Sequence, residues 1–140
     1  MYIIDKHHRQ GRLTVVFGCG GDRDNTKRPT MGKIASELAD RIIITDDNPR
    51  HETSEKIIND IKSGIDESNS QKVVSIPDRF QAITHALQYS DDREIILIAG
   101  KGHEEYQIIG NDILPFSDMN TVKSLISSIF LSQSDSDAHE

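Results

Sequence analysis

The chain has 140 residues, enough for one domain with one core, and a formal net charge of −7. The negative charge leaves no basic surface for nucleic acid or anionic membranes, and no apolar run approaches the ~18 residues that span a bilayer. Cys19 is the only cysteine, which excludes an intramolecular disulfide and fits the reducing cytoplasm. The composition therefore predicts a cytoplasmic domain without nucleic-acid or membrane partners.

The first predicted strand–helix unit follows a segment, residues 1–12, that has no clear apolar period. Tyr2-Ile3-Ile4 within this segment is compatible with a strand remnant. The β-type run Leu13–Phe17 predicts a buried strand, and a glycine-rich turn over residues 18–24 follows it. Helix 1 is predicted to begin near Pro29. Its apolar stripe, predicted to face the sheet, comprises Met31, Ile34, Ala35, Leu38 and Ala39.

A second unit repeats this pattern. Residues 41–45 are predicted to form a buried parallel strand, and the polar turn 46–50 follows directly. The next helix is predicted to begin at Thr53 or Ser54, since either side chain can cap a helix. The apolar stripe of this second helix comprises Ile57, Ile58, Ile61 and Ile65.

Two more strands and a helix complete the predicted sheet. Residues 72–76 are predicted as the third strand, and Pro77-Asp78 opens the third helix. The stripe of that helix comprises Phe80, Ile83, Thr84 and Leu87. Residues 94–99 form the most apolar predicted strand, and the turn 99–104 follows it.

The C-terminal part is predicted to contain a hairpin and a last helix. Residues 106–109 and 113–114 flank Gly110-Asn111-Asp112, which is a pattern typical of a hairpin. Ser117 or Asp118 is predicted to cap the last helix. Its stripe comprises Val122, Leu125, Ile126, Ile129 and Phe130. The tail, residues 132–140, has nothing to bury and is predicted to be disordered.

Strands that alternate with amphipathic helices predict a single α/β, Rossmann-like domain with a mostly parallel sheet and helices on both faces. Parallel strands place their C-terminal turns on one edge of the sheet. The three turns that carry most of the polar chemistry, 18–24, 46–50 and 99–104, each follow a strand directly. The topology therefore predicts that they converge on one pocket.

The turn 46–50 has side chains suited to a zwitterion. The carboxylates of Asp46 and Asp47 and the amide oxygen of Asn48 can hold an ammonium group, and the Arg50 guanidinium can hold a carboxylate in bidentate geometry. An amino-acid-like ligand would fit this set. An ordinary polar turn is an equal alternative, because Asp, Asn and Pro are turn formers.

The glycine-rich turns do not match nucleotide-binding motifs. Counting from Gly18, the third glycine of the dinucleotide fingerprint would fall at Arg23. Gly100-Lys101-Gly102 lacks the upstream glycine of a P-loop, and His103 stands where Ser or Thr is needed. The histidines lack the paired spacing of zinc ligands, and Cys19 is interpreted as a small filler residue. The sequence predicts no metal site and no cofactor in this chain.

Together these segments resemble the C-terminal domain of the Mur ligases of peptidoglycan synthesis, and most closely the diaminopimelate-adding members. The resemblance runs from about Gly11 to Phe130 in the order of the family. Asp47-Asn48-Pro49-Arg50 matches the family's mark for diaminopimelate rather than lysine. The matching segments are Val16-Phe17-Gly18-Cys19-Gly20-Gly21-Asp22-Arg23-Asp24, Lys27-Arg28-Pro29, Thr45-Asp46-Asp47-Asn48-Pro49-Arg50, Ile58-Asn59-Asp60-Ile61 and Ala99-Gly100-Lys101-Gly102-His103-Glu104-Glu105-Tyr106-Gln107-Ile108.

The resemblance implies a ligase in which the amino group of diaminopimelate attacks an acyl phosphate on D-glutamate, formed from ATP. The C-terminal domain would hold the diaminopimelate. Arg50 and Arg23 would take its carboxylates, and Glu104 would take the distal ammonium with the Gly100 carbonyl. The implied ligands are Arg23, Asp47, Asn48, Arg50, Gly100 and Glu104. None is assigned a catalytic role, and ATP and Mg²⁺ belong to the full-length family enzyme.

Several parts of the family pattern are absent from this sequence. They are the Gly-Thr-(Asn/Lys)-Gly-Lys-Thr phosphate loop, the UDP-sugar domain, the carbamylated lysine and an Asp-Tyr-Ala-His segment that meets ATP. Residues 1–12 are therefore interpreted as an unclear or replaced segment, with the first strand and helix of the domain lost. Residues 13–131 would be the acceptor-binding domain. Such a sheet would expose an edge and an apolar face.

Three hypotheses follow from this pattern. The first is the diaminopimelate-binding C-terminal part of a ligase, inactive alone, as a fragment or as the product of a split or decaying gene. A separate chain that carries the ATP- and UDP-sugar-binding domains is one partner it could have. The second is a free-standing, non-catalytic module that binds diaminopimelate or muropeptides. The third is a non-functional remnant.

Overall fold

A computed structural model describes residues 11–90 and 93–138, with side chains as far as residue 128. Four parallel strands form one sheet, in the order β3-β2-β1-β4, and two antiparallel strands form a separate hairpin. The sheet strands are β1 (Leu13–Phe17), β2 (Arg41–Ile44), β3 (Val73–Ser75) and β4 (Ile95–Ile98). The hairpin strands are β5 (Tyr106–Ile109) and β6 (Asp112–Pro115). The predicted α/β class, parallel sheet and hairpin are confirmed.

Helices cover both faces of the sheet. The helices are α1 (Arg28–Leu38), α2 (Ser54–Lys62), α3 (Arg79–Gln88) and α4 (Asp118–Ala138). Thr53 caps α2 and Asp78 caps α3, each through a side-chain oxygen that accepts a backbone N–H. The sequence did not predict a 3₁₀ helix, Glu67–Lys72, which precedes β3. No helix in the described part of the chain is long and apolar enough to cross a membrane.

The core consists of two layers because alternate strand residues point to opposite faces of the sheet. On one face Val15 and Phe17 pack with Ile42 and with the isoleucines of α2. On the other face Val16 and Ile43 pack against α3, with α4 completing the layer. β1 lies between β2 and β4, so its side chains are buried on both faces.

The stripe predicted for α1 is only partly covered. Ala35 is buried, whereas Met31 and Ile34 are each 42% exposed. The helix packs closely on α2, since a Cβ on Gly32 would lie 2.1 Å from the Ile61 carbonyl oxygen. This contact turns the buried face of α1 toward α2, and the rest of the stripe borders an open apolar groove of about 190 Å³ beside β4. The groove is lined by Leu13, Val15, Phe17, Met31, Ile34, Leu38, Ile95 and Leu97, among others.

The stripe predicted for α3 is confirmed at Ile83, which is buried, and at Leu87, which packs on the core, but not at Phe80. Phe80 is 50% exposed, and the buried residues of the helix are Arg79, Ala82, Ile83 and Ala86. The prediction left out Arg79 because arginine is rarely buried without a partner. Here Asp118 supplies that partner, 2.7 Å from Arg79 Nε, and the helix turns this side inward.

The C-terminal helix extends beyond the predicted boundary. Asn120 N–H donates to Ser117 Oγ, so the predicted cap is present, and Val122 and Leu125 pack on the core. The helix continues to Ala138, whereas the sequence predicted disorder from Ser132. Residues 131–138 contain neither Gly nor Pro to stop a helix. The predicted strand remnant within residues 1–10, and residues 139–140, lie outside the described part of the chain.

Candidate functional site

The three polar turns meet at the C-terminal edge of the sheet. Gly21 N–H donates to the Asn48 carbonyl at 2.8 Å, which joins the first turn to the second. A Cβ on Gly100 would lie 3.2 Å from Asp47 Oδ2, which brings the third turn beside the second. The convergence that parallel topology predicts is therefore present, and it forms the candidate site.

A buried lysine occupies the centre of this site. Lys101 Nζ donates to Asn48 Oδ1 at 2.9 Å and to the Tyr106 carbonyl at 3.0 Å. It also lies 3.1 Å from Asp47 Oδ1 and 4.0 Å from Glu104 Oε1. Asp47 Oδ1 accepts no hydrogen bond within the described residues, so its contact with Lys101 is an ion pair. One cation thus contacts three of the predicted ligand residues.

Asn48 is fixed from both ends of its amide. Its Oδ1 accepts the Ile108 backbone N–H at 3.0 Å as well as the Lys101 ammonium. Its Nδ2 donates to Glu104 Oε1 at 3.3 Å. The residue is buried, so the hydrogen bonds set the direction in which the amide can meet a ligand.

The hairpin supports the turn 46–50 from outside the sheet. Gln107 Nε2 donates to the Asp47 carbonyl at 2.8 Å. Arg50 N–H donates to the Ile108 carbonyl, and Gly110 N–H donates to the Arg50 carbonyl at 2.6 Å. Sequence reasoning predicted the hairpin but not this contact, which joins residues about 60 positions apart.

Two arginine side chains approach the glycine-rich turn at Gly20. Arg50 Nη1 donates to the Gly21 carbonyl at 2.9 Å, and its backbone has φ +52°. A Cβ on Gly20 would lie 3.1 Å from Arg50 Nη1 and 3.5 Å from Arg23 Cγ. Arg23 is exposed at this edge. All six predicted ligand residues therefore lie on the three converging turns, with the arginines on one side and Glu104 joined to Asn48.

Asp46 has a different role from its neighbour Asp47. Its Oδ2 accepts a hydrogen bond from Ser54 Oγ at 2.7 Å. Burial raises the pKa of Asp46, and the Ser54 hydrogen bond opposes that shift. The side chain thus joins the turn to the start of α2, and the ammonium-binding role considered for Asp46 does not fit this geometry.

Arg79 joins the strand ends beneath the site. Its guanidinium donates to the Asp46 carbonyl at 3.0 Å and to the Ala99 carbonyl at 3.1 Å. It also forms a two-point contact with the Asp118 carboxylate, at 2.7 and 2.8 Å. This buried group fixes the ends of β2 and β4 relative to each other, and it gave no signal in the sequence.

A second buried arginine fixes the glycine-rich turn. Arg28 Nη2 donates to the Gly20 carbonyl at 2.8 Å, and Nη1 contacts Glu52 and Asp60 at 2.9 Å each. Hydrogen bonds from Arg28 lower the pKa of Glu52 to about 2. This cluster ties the first turn to α2.

The amides of the glycine-rich turn are not arranged to cradle a phosphate. Gly21 N–H is used by the Asn48 carbonyl, and Asp22 N–H donates to Glu52 Oε1 at 2.8 Å. A phosphate would have to displace these partners and would meet the Glu52 carboxylate. These two N–H groups are therefore not free to bind a phosphate, and the described residues contain no cluster of His, Cys, Asp or Glu that could hold a metal ion.

Cys19 and His103 show no site chemistry. Cys19 Sγ lies 3.5 Å from Met31 Sδ, and burial raises the pKa of the thiol to about 11. A thiol with so high a pKa is a poor nucleophile at neutral pH. His103 is exposed in the third turn.

Lys101 is the buried residue at the centre of the site that sequence reasoning missed. It stands between Gly100 and Gly102, directly after the most apolar strand. A lysine at the buried end of a parallel strand is unusual unless a carboxylate neutralises it. That position is the one signal in the sequence that could have identified it.

Comparison with known proteins adds family-level findings. A family model described as "Mur ligase, glutamate ligase domain" matches residues 3–102. The UDP-N-acetylmuramoyl-L-alanyl-D-glutamate–2,6-diaminopimelate ligase of Haemophilus influenzae is 51% identical over 116 residues, covering 83% of this chain and 23% of that protein. The enzyme of the same name from Prochlorococcus marinus subsp. pastoris is 46% identical over 117 residues, covering 84% and 22%.

A solved structure of a ligase of that name superposes with a TM-score of 0.83 at 43% identity. The match covers 89% of this chain and 26% of that protein. The chain therefore spans about a quarter of the length of the proteins it matches.

Proposed function

The chain belongs to the Mur ligase family of glutamate ligase domains, and we propose that it forms the diaminopimelate-binding part of a cytoplasmic ligase in peptidoglycan biosynthesis. The relatives named above are ligases for 2,6-diaminopimelate. The observation that carries the proposal is the convergence of all six implied ligand residues on one edge of the sheet.

The charges of the site complement diaminopimelate. This ligand carries a carboxylate and an amino group at each end. Arg50 and Arg23, side by side at Gly20, would each bind carboxylate oxygens through guanidinium N–H groups. Glu104 and the Gly100 carbonyl, on the opposite turn, would accept hydrogen bonds from an ammonium group. Asn48 lies between these groups and can donate through Nδ2.

Arg50 is the residue that would separate diaminopimelate from lysine. Lysine has a distal amine but no distal carboxylate, so it would leave the guanidinium without its partner. A site built to bind a polar group can reject an analogue that lacks it by ~10⁴-fold. The Gly21 carbonyl holds Arg50 Nη1 in place and leaves other N–H groups of the fork available.

Calorimetry with meso-diaminopimelate and L-lysine tests this assignment. The wild-type chain is expected to bind diaminopimelate and to show no measurable binding of lysine. Arg50→Lys should remove this preference, because an ammonium cannot reproduce the fork geometry. Arg12→Lys, at an exposed position remote from the site, is the matched control and should keep it. An unchanged preference in Arg50→Lys would exclude Arg50 as the selector, and no heat with either ligand would contradict the proposed function.

Peptide-bond formation would require parts of a ligase beyond the described site. ATP and Mg²⁺ would act on the ATP- and UDP-sugar-binding domains of the whole ligase, which lie outside this sequence. We expect ATP-dependent ligation of diaminopimelate only when those domains are supplied, in the same polypeptide or as a separate one. Ligation by the isolated chain would contradict this division of roles.

A free-standing binding module is the second candidate function. Its ligand residues would be the same six, because all of them lie on turns of this chain. Diaminopimelate binding without ligation in the presence of the complementing domains would support the module. A chain that shows no cooperative thermal transition would instead indicate a remnant.

A further inference from the structure

Lys101 is a charged residue buried where the three turns meet. Its side chain is 0% exposed, although it follows a strand that ends at the site edge. The ammonium faces the Asn48 amide oxygen, the Tyr106 carbonyl and the Asp47 carboxylate within 3.1 Å. Burial of an ammonium is costly, so a position of this kind requires a compensating arrangement of acceptors. The three acceptors supply it, and two of them are implied ligand residues.

We propose that Lys101 is a positioning residue that sets the charge and the hydrogen-bond direction of the diaminopimelate site. This inference rests on the proposed function. It adds a residue outside the implied ligand set and gives it two separate tasks. Lys101 would fix the Asn48 amide, and it would neutralise Asp47 from within the protein.

The first task follows from the acceptors of Asn48. An amide side chain can be reversed unless its partners distinguish oxygen from nitrogen. Lys101 Nζ and Ile108 N–H are both donors, so Oδ1 must face them. Nδ2 is then directed to Glu104 Oε1. Without the Lys101 ammonium, one of the three contacts that hold this orientation is lost.

The second task follows from counting charges at the site edge. Asp47 Oδ1 lies 3.1 Å from Lys101 Nζ, so these two charges compensate each other. Arg23, Arg50 and Glu104 remain for a ligand, which gives two cations and one anion. This set matches two carboxylates and one ammonium. The second amino group of diaminopimelate meets no counter-charge in this set, so its ammonium form is not stabilised there. It must still lose a proton to a base before it can attack an acyl group.

The predicted effect is measured with Lys101→Met, and Lys33→Met on an exposed face of α1 is the matched control. Calorimetry with meso-diaminopimelate gives the affinity. The ¹⁵N and ¹H resonances of the Asn48 side-chain amide, measured without ligand, report its orientation. We expect Lys101→Met to lower the affinity at least about tenfold, as for a lost hydrogen bond to a charged group, and to shift the Asn48 resonances. Lys33→Met should change neither.

A purely structural role for Lys101 predicts a different result. Thermal stability would fall, while affinity and the Asn48 resonances measured well below the melting temperature would stay as in the wild type, and that result would overturn the proposal. If Lys101→Met does not fold, Lys101→Met/Asp47→Asn removes both buried charges and is used in its place. In that double variant the same resonance shift supports the proposal, and wild-type resonances oppose it.

The ligand-free resonances separate this inference from the proposed function. If the wild-type chain does not bind diaminopimelate, the proposed function fails. The ligand-free Asn48 resonances of Lys101→Met, or of Lys101→Met/Asp47→Asn in its place, then decide alone whether Lys101 positions the amide. If the wild type binds and Lys101→Met binds equally well with unchanged resonances, only the role of Lys101 is overturned.

Discussion

At the residue scale, four positions in the three converging turns have backbone conformations that L side chains rarely adopt, and two of them, Arg50 and Gly100, are implied ligand residues. Arg50 has φ +52° and Gly100 has φ +111°. A non-glycine residue in the left-handed region costs about 1 kcal/mol or more and persists only where surrounding contacts hold it. The Ile108 and Gly110 backbone groups provide these contacts for Arg50. The strain therefore lies at the residue proposed to select the ligand.

Gly100→Ala should weaken diaminopimelate binding more than Gly102→Ala does. Both glycines have positive φ, so both substitutions add a backbone cost of about 1–2 kcal/mol. Only the Gly100 methyl group would also meet Asp47 Oδ2, at 3.2 Å, whereas a Cβ on Gly102 has open space. We expect calorimetry to show about tenfold weaker binding for Gly100→Ala. This is the effect of losing the hydrogen bond that the Gly100 carbonyl would accept from the ligand ammonium. Equal affinities for the two variants would argue that the Gly100–Asp47 contact is not part of the site.

The residues of the site differ in how far the sequence reveals them. Asp47, Asn48 and Arg50 could be predicted because their chemistry is concentrated in one turn after an apolar strand. Arg79 could not be predicted, and Lys101 could be noticed only by its position after an apolar strand, because their partners lie 39 and 53 positions away. The burial of a charged residue cannot be predicted from the sequence until its oppositely charged partner is known.

At the element scale, the helix stripes show which contacts a periodic pattern can predict. The α2 stripe was predicted correctly, since Ile57, Ile58 and Ile61 are buried. The α1 and α3 stripes were predicted only in part. Ala35, Ala39 and Ile83 are buried, whereas Met31, Ile34 and Phe80 are exposed, because packing at Gly32 and the Arg79–Asp118 ion pair set the orientation of these helices. Periodicity locates a helix, and the neighbouring element decides its orientation.

The hairpin is also held at its tip, by a histidine that responds to pH. His51 Nδ1 lies 2.8 Å from Asp22 Oδ2, and Nε2 lies 2.7 Å from Asn111 Oδ1. Both partners are acceptors, so the ring must carry a proton on each nitrogen to satisfy both. The hydrogen bonds to Asn111 and Asp22 accordingly raise the pKa of His51 above 6.5.

A raised pKa in the folded state means that the tip contact contributes fully below pH 6.5 and is lost as the pH rises through the folded-state pKa. We expect the Gly110 amide to lose protection against hydrogen exchange as the pH rises from 6.5 through the folded-state pKa of His51. The exchange rates are corrected for the intrinsic effect of pH. His51→Gln should abolish this pH dependence. His103→Gln, an exposed histidine in the third turn, should retain it. The same pH profile in wild type and His51→Gln would disprove the role of the histidine.

At the scale of the whole molecule, the described part of the sheet has one incompletely covered face. The groove beside β4 is lined almost wholly by apolar side chains, and Ile95 and Leu97 within it are only partly buried. The sequence predicted an exposed edge and apolar face from the missing parts of the family pattern. It could not predict that α1 would form one wall, since that depends on how α1 packs against α2.

An exposed apolar groove of this kind should bind the dye ANS in solution, and Ile34→Lys should reduce that binding. Ile34 is 42% exposed on the groove wall, and lysine has a helix propensity at least as good as isoleucine, so the melting temperature should change little. Phe80→Lys is the control, because Phe80 is 50% exposed but lies on α3 and outside the groove lining. It should leave most of the ANS fluorescence. Unchanged fluorescence in Ile34→Lys would show that the groove is covered in solution, and the apolar face would then not govern how the molecule associates.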